Sequence, residues 1–68
     1  MNRYSFDTHY GHSTVVDLEN CIAVAWENGR FNETSRVEYT GDSLNVMEIA
    51  RLSRELADYV LQNHPELV

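Results

Sequence analysis

Three histidines, one cysteine and eleven carboxylates are the residues of this chain that could do chemistry. His9 and His12 stand three apart with Asp7 nearby, and His64 could add a further ligand. That set would suit a metal-dependent enzyme. Its spacing is loose, however, and it falls across a turn without a cysteine partner, whereas structural zinc sites use four ligands at well-defined spacing. Two exposed turn histidines are the plainer reading.

Cys21 beside a histidine would suggest nucleophilic catalysis. It begins the most apolar run of the chain, Cys21-Ile22-Ala23-Val24-Ala25-Trp26. A thiol in such a run is expected to be a buried core residue, raised in pKa and inert. Asp17, Glu19, Glu27, Glu33 and Glu38 could pair for acid–base work, but their spacing is that of outward strand positions and loop ends. All three glycines fall at turns, so no glycine-rich phosphate loop is present. A domain this thin has little room for a ligand pocket of several hundred Å³. These considerations point away from an enzyme and imply no cofactor and no bound metal.

Charge is more informative. Eleven acids face five arginines, there is no lysine, and the formal net charge is -6. Binding a nucleic-acid backbone directly needs a basic footprint that this chain lacks. Anionic membranes are disfavoured for the same reason. A protein partner with a basic surface is favoured, at least in encounter rate. The plain alternative is that acidity only keeps a small protein soluble. Up to Asp42 there are seven acids and three arginines, so the negative field belongs mainly to the region before the last helix.

The elements that must position these residues follow from periodicity. Residues 45–63 form the clearest element. Val46, Ile49, Ala50, Ser53, Leu56, Ala57 and Val60 recur at helical spacing, with Leu52 and Tyr59 widening the stripe. Asn45 is the expected N-cap, Glu48 completes a capping box, and Leu44 sits at staple spacing from Ile49. Arg51 with Glu55 and Arg54 with Asp58 are i,i+4 pairs. Pro65 ends the helix; Leu67 then folds back on the core or the tail frays.

Before the helix the period is two. Residues 3–10 alternate, with Tyr4, Phe6, Thr8 and Tyr10 on one side, and read as a half-buried strand. Gly11-His12-Ser13 is read as the turn that follows. Residues 14–27 are long for one strand; either a bulge near Glu19-Asn20 or two separate strands explains the polar break. Ile22, Val24 and Trp26 then share one face, Cys21, Ala23 and Ala25 the other. Asn28-Gly29 suits a type I′ hairpin that would set Trp26 opposite Phe31. Residues 32–35 read as an edge or loop, and Val37 and Tyr39 restore alternation.

The expected fold is α+β: three or four antiparallel strands within residues 3–40, then one amphipathic helix packed on them in two layers, all in a single domain. One cysteine excludes a disulfide within the chain and suits a reducing compartment. No apolar run resembles a signal peptide or a membrane span, so a cytoplasmic protein is expected.

One helix covers only one sheet face, and an uncovered face bearing apolar residues is a candidate partner surface. The leading expectation is therefore a small acidic protein-binding module. An inhibitor of a nucleic-acid-binding protein, such as a phage-encoded inhibitor of a host defence system, has this size and charge. Glu19, Glu27, Glu33, Glu38 and Asp42 would be its contact acids, with Trp26 and Phe31 as anchors. A homodimer or larger homo-oligomer, built through the uncovered face or the segment from Arg30 to Tyr39, is the alternative. A small metal enzyme using His9, His12 and His64 is the third reading.

Overall fold

The computed structural model describes residues 2–68. Four strands, β1 (Tyr4–His9), β2 (His12–Asp17), β3 (Ile22–Glu27) and β4 (Arg36–Tyr39), form one antiparallel sheet in the order β1-β2-β3-β4. A one-turn helix α1 (Phe31–Thr34) lies between β3 and β4. The long helix α2 (Val46–Asn63) packs on one face of the sheet, and a short 3-10 turn, Pro65–Leu67, closes the chain. This is the two-layer α+β arrangement read from the periodicity. Among the described residues no helix is long and apolar enough to cross a membrane.

Each hairpin has a local cause. Tyr10 and Gly11 both take positive φ, 50° and 78°, which makes them the two central residues of the β1–β2 turn. His9 therefore pairs with His12, and the turn lies one residue earlier than Gly11-His12-Ser13. Between β2 and β3 the chain turns fully at residues 18–21, so two strands, and not one bulged strand, account for residues 14–27.

Cys21 sits in that turn at φ 59° and is exposed. The burial expected from its apolar neighbours is thus corrected. The run that follows Cys21 is core, while the turn demands its first residue on the outside.

Asn28-Gly29 also departs from expectation. Among the described non-glycine residues only Tyr10 and Cys21 have positive φ, so Asn28 cannot complete a type I′ turn. The chain instead winds through α1, and β4 begins only at Arg36, opposite Ala25. Side-chain hydrogen bonds hold this detour. The Thr34 hydroxyl accepts from the Glu27 N–H at 3.1 Å and donates to the Arg30 carbonyl at 3.0 Å. The detour also brings Phe31 edge-on to Trp26, ring centroids 5.0 Å apart, inside the core and not across a ladder. The two rings do meet, but by a different route.

The core forms between the helix and the sheet row Val15, Ile22, Val24 and Trp26, closed by Phe31 at one end. From α2 it receives Leu52, Leu56 and Val60. The buried stripe is therefore rotated from the one centred on Ile49, Ser53 and Ala57. Tyr59 packs on Tyr4 with centroids 4.6 Å apart, and Arg3 reaches Glu55 at 3.9 Å, so both draw the helix toward β1. Val46 and Ala50, assigned to the buried stripe by spacing alone, are left exposed.

Both ends of α2 are fixed as its sequence suggests. The Asn45 side chain accepts from the Glu48 N–H at 2.9 Å, and Glu48 accepts from the Asn45 N–H at 3.3 Å, a complete capping box. At the other end Leu67 does fold back. Its carbonyl accepts from the Trp26 indole N–H at 2.9 Å and from the Gly29 N–H at 3.3 Å. His64 stacks flat on Phe6, centroids 3.9 Å apart.

The loop into α2 hangs on Tyr39, whose hydroxyl accepts from the Ser43 and Leu44 N–H groups, both at 3.0 Å. Gly41 lies against that ring, and a Cβ there would strike the Tyr39 hydroxyl and ring carbons. Because two backbone donors hold the hydroxyl, the ring cannot simply swing aside. Gly41→Ala is expected to cost about 1–3 kcal/mol, the usual range for overpacking. Chemical denaturation followed by Trp26 fluorescence checks this. A variant as stable as the parent would show that Tyr39 does not anchor the loop.

Candidate functional site

The sheet has one face under α2 and one face without a covering element. Strand alternation decides which residues stand on the open face. The ladder register sets them in cross-strand rows: His9, His12 and Glu27; then Asp7, Thr14, Ala25 and Arg36; then Ser5, Val16, Ala23 and Glu38. Small residues occupy the middle and charged residues the margins. Two shallow open concavities lie here, of about 300 Å³ beside His12, Ala25, Glu27 and Arg36, and about 220 Å³ beside Val16, Leu18, Ala23 and Glu38.

The acids singled out from sequence do not share one patch. Glu27 and Glu38 stand on the open face, on adjacent strands. Glu19 and Asp42 line a third shallow concavity at the end of the sheet where α2 begins. Glu33 lies on α1 and pairs with Arg30 at 2.9 Å, so its charge is locally cancelled. Trp26 and Phe31 are 3% and 5% exposed and serve the core, which removes them as surface anchors.

The histidines separate in the same way. His9 and His12 are neighbours on the open face, whereas His64 stacks on Phe6 on the helix side of the sheet. Among the described residues no three histidine, cysteine or carboxylate side chains are placed to share a metal ion.

Asp17 is not the solvated strand acid that its spacing suggests. It ends β2 facing the helix layer, and its side chain is fully buried. Five donors converge on it. The Arg3 guanidinium binds both carboxylate oxygens, at 3.1 and 2.7 Å. The backbone N–H groups of Glu19 and Asn20 donate to Oδ1 at 3.0 and 3.2 Å, and the Asn20 amide donates to Oδ2 at 2.9 Å. Burial pushes the carboxyl up, but these donors outweigh it and hold its pKa down to about 2. Asp17 in turn raises the Arg3 guanidinium, chiefly through their hydrogen bonds. The spacing Asp17-x-x-Asn20 across a strand end is the signal that could have revealed this turn, because aspartate side chains hydrogen-bond backbone N–H groups just ahead of them.

The ion pairs also determine where negative charge is left over. Arg3 is engaged by Asp17, Arg30 by Glu33 and Arg51 by Glu55. No ion pair among the described residues involves Asp7, Glu27, Glu38 or Asp42. Three of these four acids stand on the open face, where Arg36 is the only arginine among the described residues. Comparison with protein-family models, with curated proteins and with solved structures finds no match for the chain.

Proposed function

We propose that this protein is a small acidic binding module that docks on a basic protein surface through the sheet face opposite α2. One observation carries the reading: three of the five arginines are engaged in ion pairs away from this face, while Asp7, Glu27 and Glu38 stand unpaired on it, around a floor of small residues and beside Arg36 alone. A flat face with a narrow side-chain floor lets a partner approach closely, and its marginal acids fit lysines or arginines there. Complementary charge of this kind raises association rates and selects partners more than it adds affinity. Nucleic-acid-binding surfaces carry basic footprints of the kind these acids would meet, so an inhibitor that occupies such a site is the role that suits this face best. The open geometry favours engagement of a surface over enclosure of a substrate.

The test is capture from lysate of the source cell or its host, washed at low and at high salt, with mass spectrometry on the eluate. A nucleic-acid-binding protein retained at low salt and shed at high salt is the expected result, because exposed charge pairs are screened within about 10 Å at 0.1 M salt. A partner that ignores salt would overturn the electrostatic reading.

A further inference from the structure

A second surface remains on the helix. The rotation of α2 toward β1 leaves its other flank without cover. Met47 is 82% exposed and Leu61 45%, and Ala50 and Arg54 are exposed between them. Together with Ala57 these residues follow one another at intervals of three, four, three and four along α2, the spacing of a coiled-coil seam.

We propose that this flank is the interface of a homodimer in which two copies of α2 pack antiparallel about a two-fold axis. The charges choose both the occupant and the orientation. An antiparallel pair sets Leu61 over the partner's Ala50 and Arg54 over the partner's Ala57, large side chains on small ones. It also brings Asp58 between the partner's Arg51 and Arg54. The two-fold axis repeats every one of these contacts. A parallel pair would instead set Arg54 on the partner's Arg54 at the seam and would part Asp58 from the partner's Arg51. Within one copy, Arg54 and Asp58 lie one turn apart, yet the described ion pairs include neither of them, so both are free for a partner. A chain of this length buries only about 60% of its unfolded surface, and self-association is a common way to add to so thin a core.

Sedimentation equilibrium over a broad concentration range tests the proposal with four forms of the full chain. The parent is expected to dimerise. Leu61→Glu should abolish dimerisation, and Asp58→Arg should weaken it roughly tenfold or more, since it sets like charges together across the axis. The double variant Arg54→Asp with Asp58→Arg exchanges the two signs and should recover most of the loss. All three substituted positions are exposed, and unchanged far-UV circular dichroism will show that each variant folds. A parent that stays monomeric overturns the proposal. So does a dimer that Leu61→Glu and Asp58→Arg leave intact, or a double variant no tighter than Asp58→Arg alone.

Discussion

Replacing Asp17 by alanine is expected to remove a large share of the fold's stability at neutral pH. The substitution removes the acceptor for five donors at once, three of them fixed in the turn that joins β2 to β3. Breaking a buried, hydrogen-bonded charge pair by deleting one member costs about 3–5 kcal/mol. The guanidinium left behind is 33% exposed and regains water, so the lower part of that range applies. A chain of this length is stable by only roughly 3–10 kcal/mol in total. Urea denaturation of the variant, read by Trp26 fluorescence, should show a midpoint shifted far toward lower denaturant.

The same group sets a pH dependence of definite sign. In the unfolded chain this carboxyl has its ordinary pKa of 3.8; in the fold it is held at about 2. A depressed folded value means that the stabilisation is fully present above 3.8 and is lost as pH falls through that interval toward 2. The interval is worth roughly 2 kcal/mol at one pH unit per 1.4 kcal/mol. Asp17→Asn should flatten this part of the acid limb, because it removes the titrating group. An acid limb that stays unchanged in the asparagine variant would show that the stability is lost through other carboxyls.

Leu56→Ala is the second large effect. Leu56 is fully buried and lies at the middle of the α2 stripe, between Leu52 and Val60. Truncation removes apolar burial and leaves a cavity that a two-layer domain with a single helix has few other side chains to fill. The expected cost is about 2–5 kcal/mol. Ala50→Gly offers a contrast on the same helix. It lies on the exposed flank, and its cost should be only the propensity difference, about 1 kcal/mol. Denaturation midpoints for the two variants would check the rotated helix directly. If the helix were docked on the stripe centred at Ile49, Ser53 and Ala57, the Ala50 substitution would cost much more.

Much of this architecture is readable from residue pattern. The capping box of Asn45 and Glu48, the alternation of Ile22, Val24 and Trp26, and the return of Leu67 all depend on neighbours close in sequence or on strict periodicity. What escapes depends on contacts that no local rule states. Cys21 adjoins an apolar run, yet a turn residue at positive φ faces outward whatever follows it. Asn28-Gly29 is a strong hairpin signal, but burial of Phe31 and the two hydrogen bonds of Thr34 outweigh it. The helix orientation is set by Tyr4 and Arg3, some fifty residues upstream of the positions they touch. Of the site, the acidity and the uncovered face are legible from composition and topology. The division of the acids into paired and unpaired requires the arginines to be placed in space. For that reason Glu33, Asp17 and Glu19, the last 3.6 Å from Arg3, leave the set of available acids, while Asp7 joins it.

The central claim is that the open sheet face, and not the general acidity of the chain, selects a basic partner. The most direct test measures the affinity of the captured partner for three forms of the protein. One is the parent, one carries Glu27→Arg with Glu38→Arg on the open face, and one carries Gln62→Arg with Glu66→Arg at the C-terminal end of α2 and the turn after it. Both variants gain positive charge, but only the first places it on the face. The account predicts a large loss of affinity for the sheet-face variant, carried mostly in the association rate, and near-parental binding for the helix-end variant. Equal losses in both variants, or no loss in either, would contradict it.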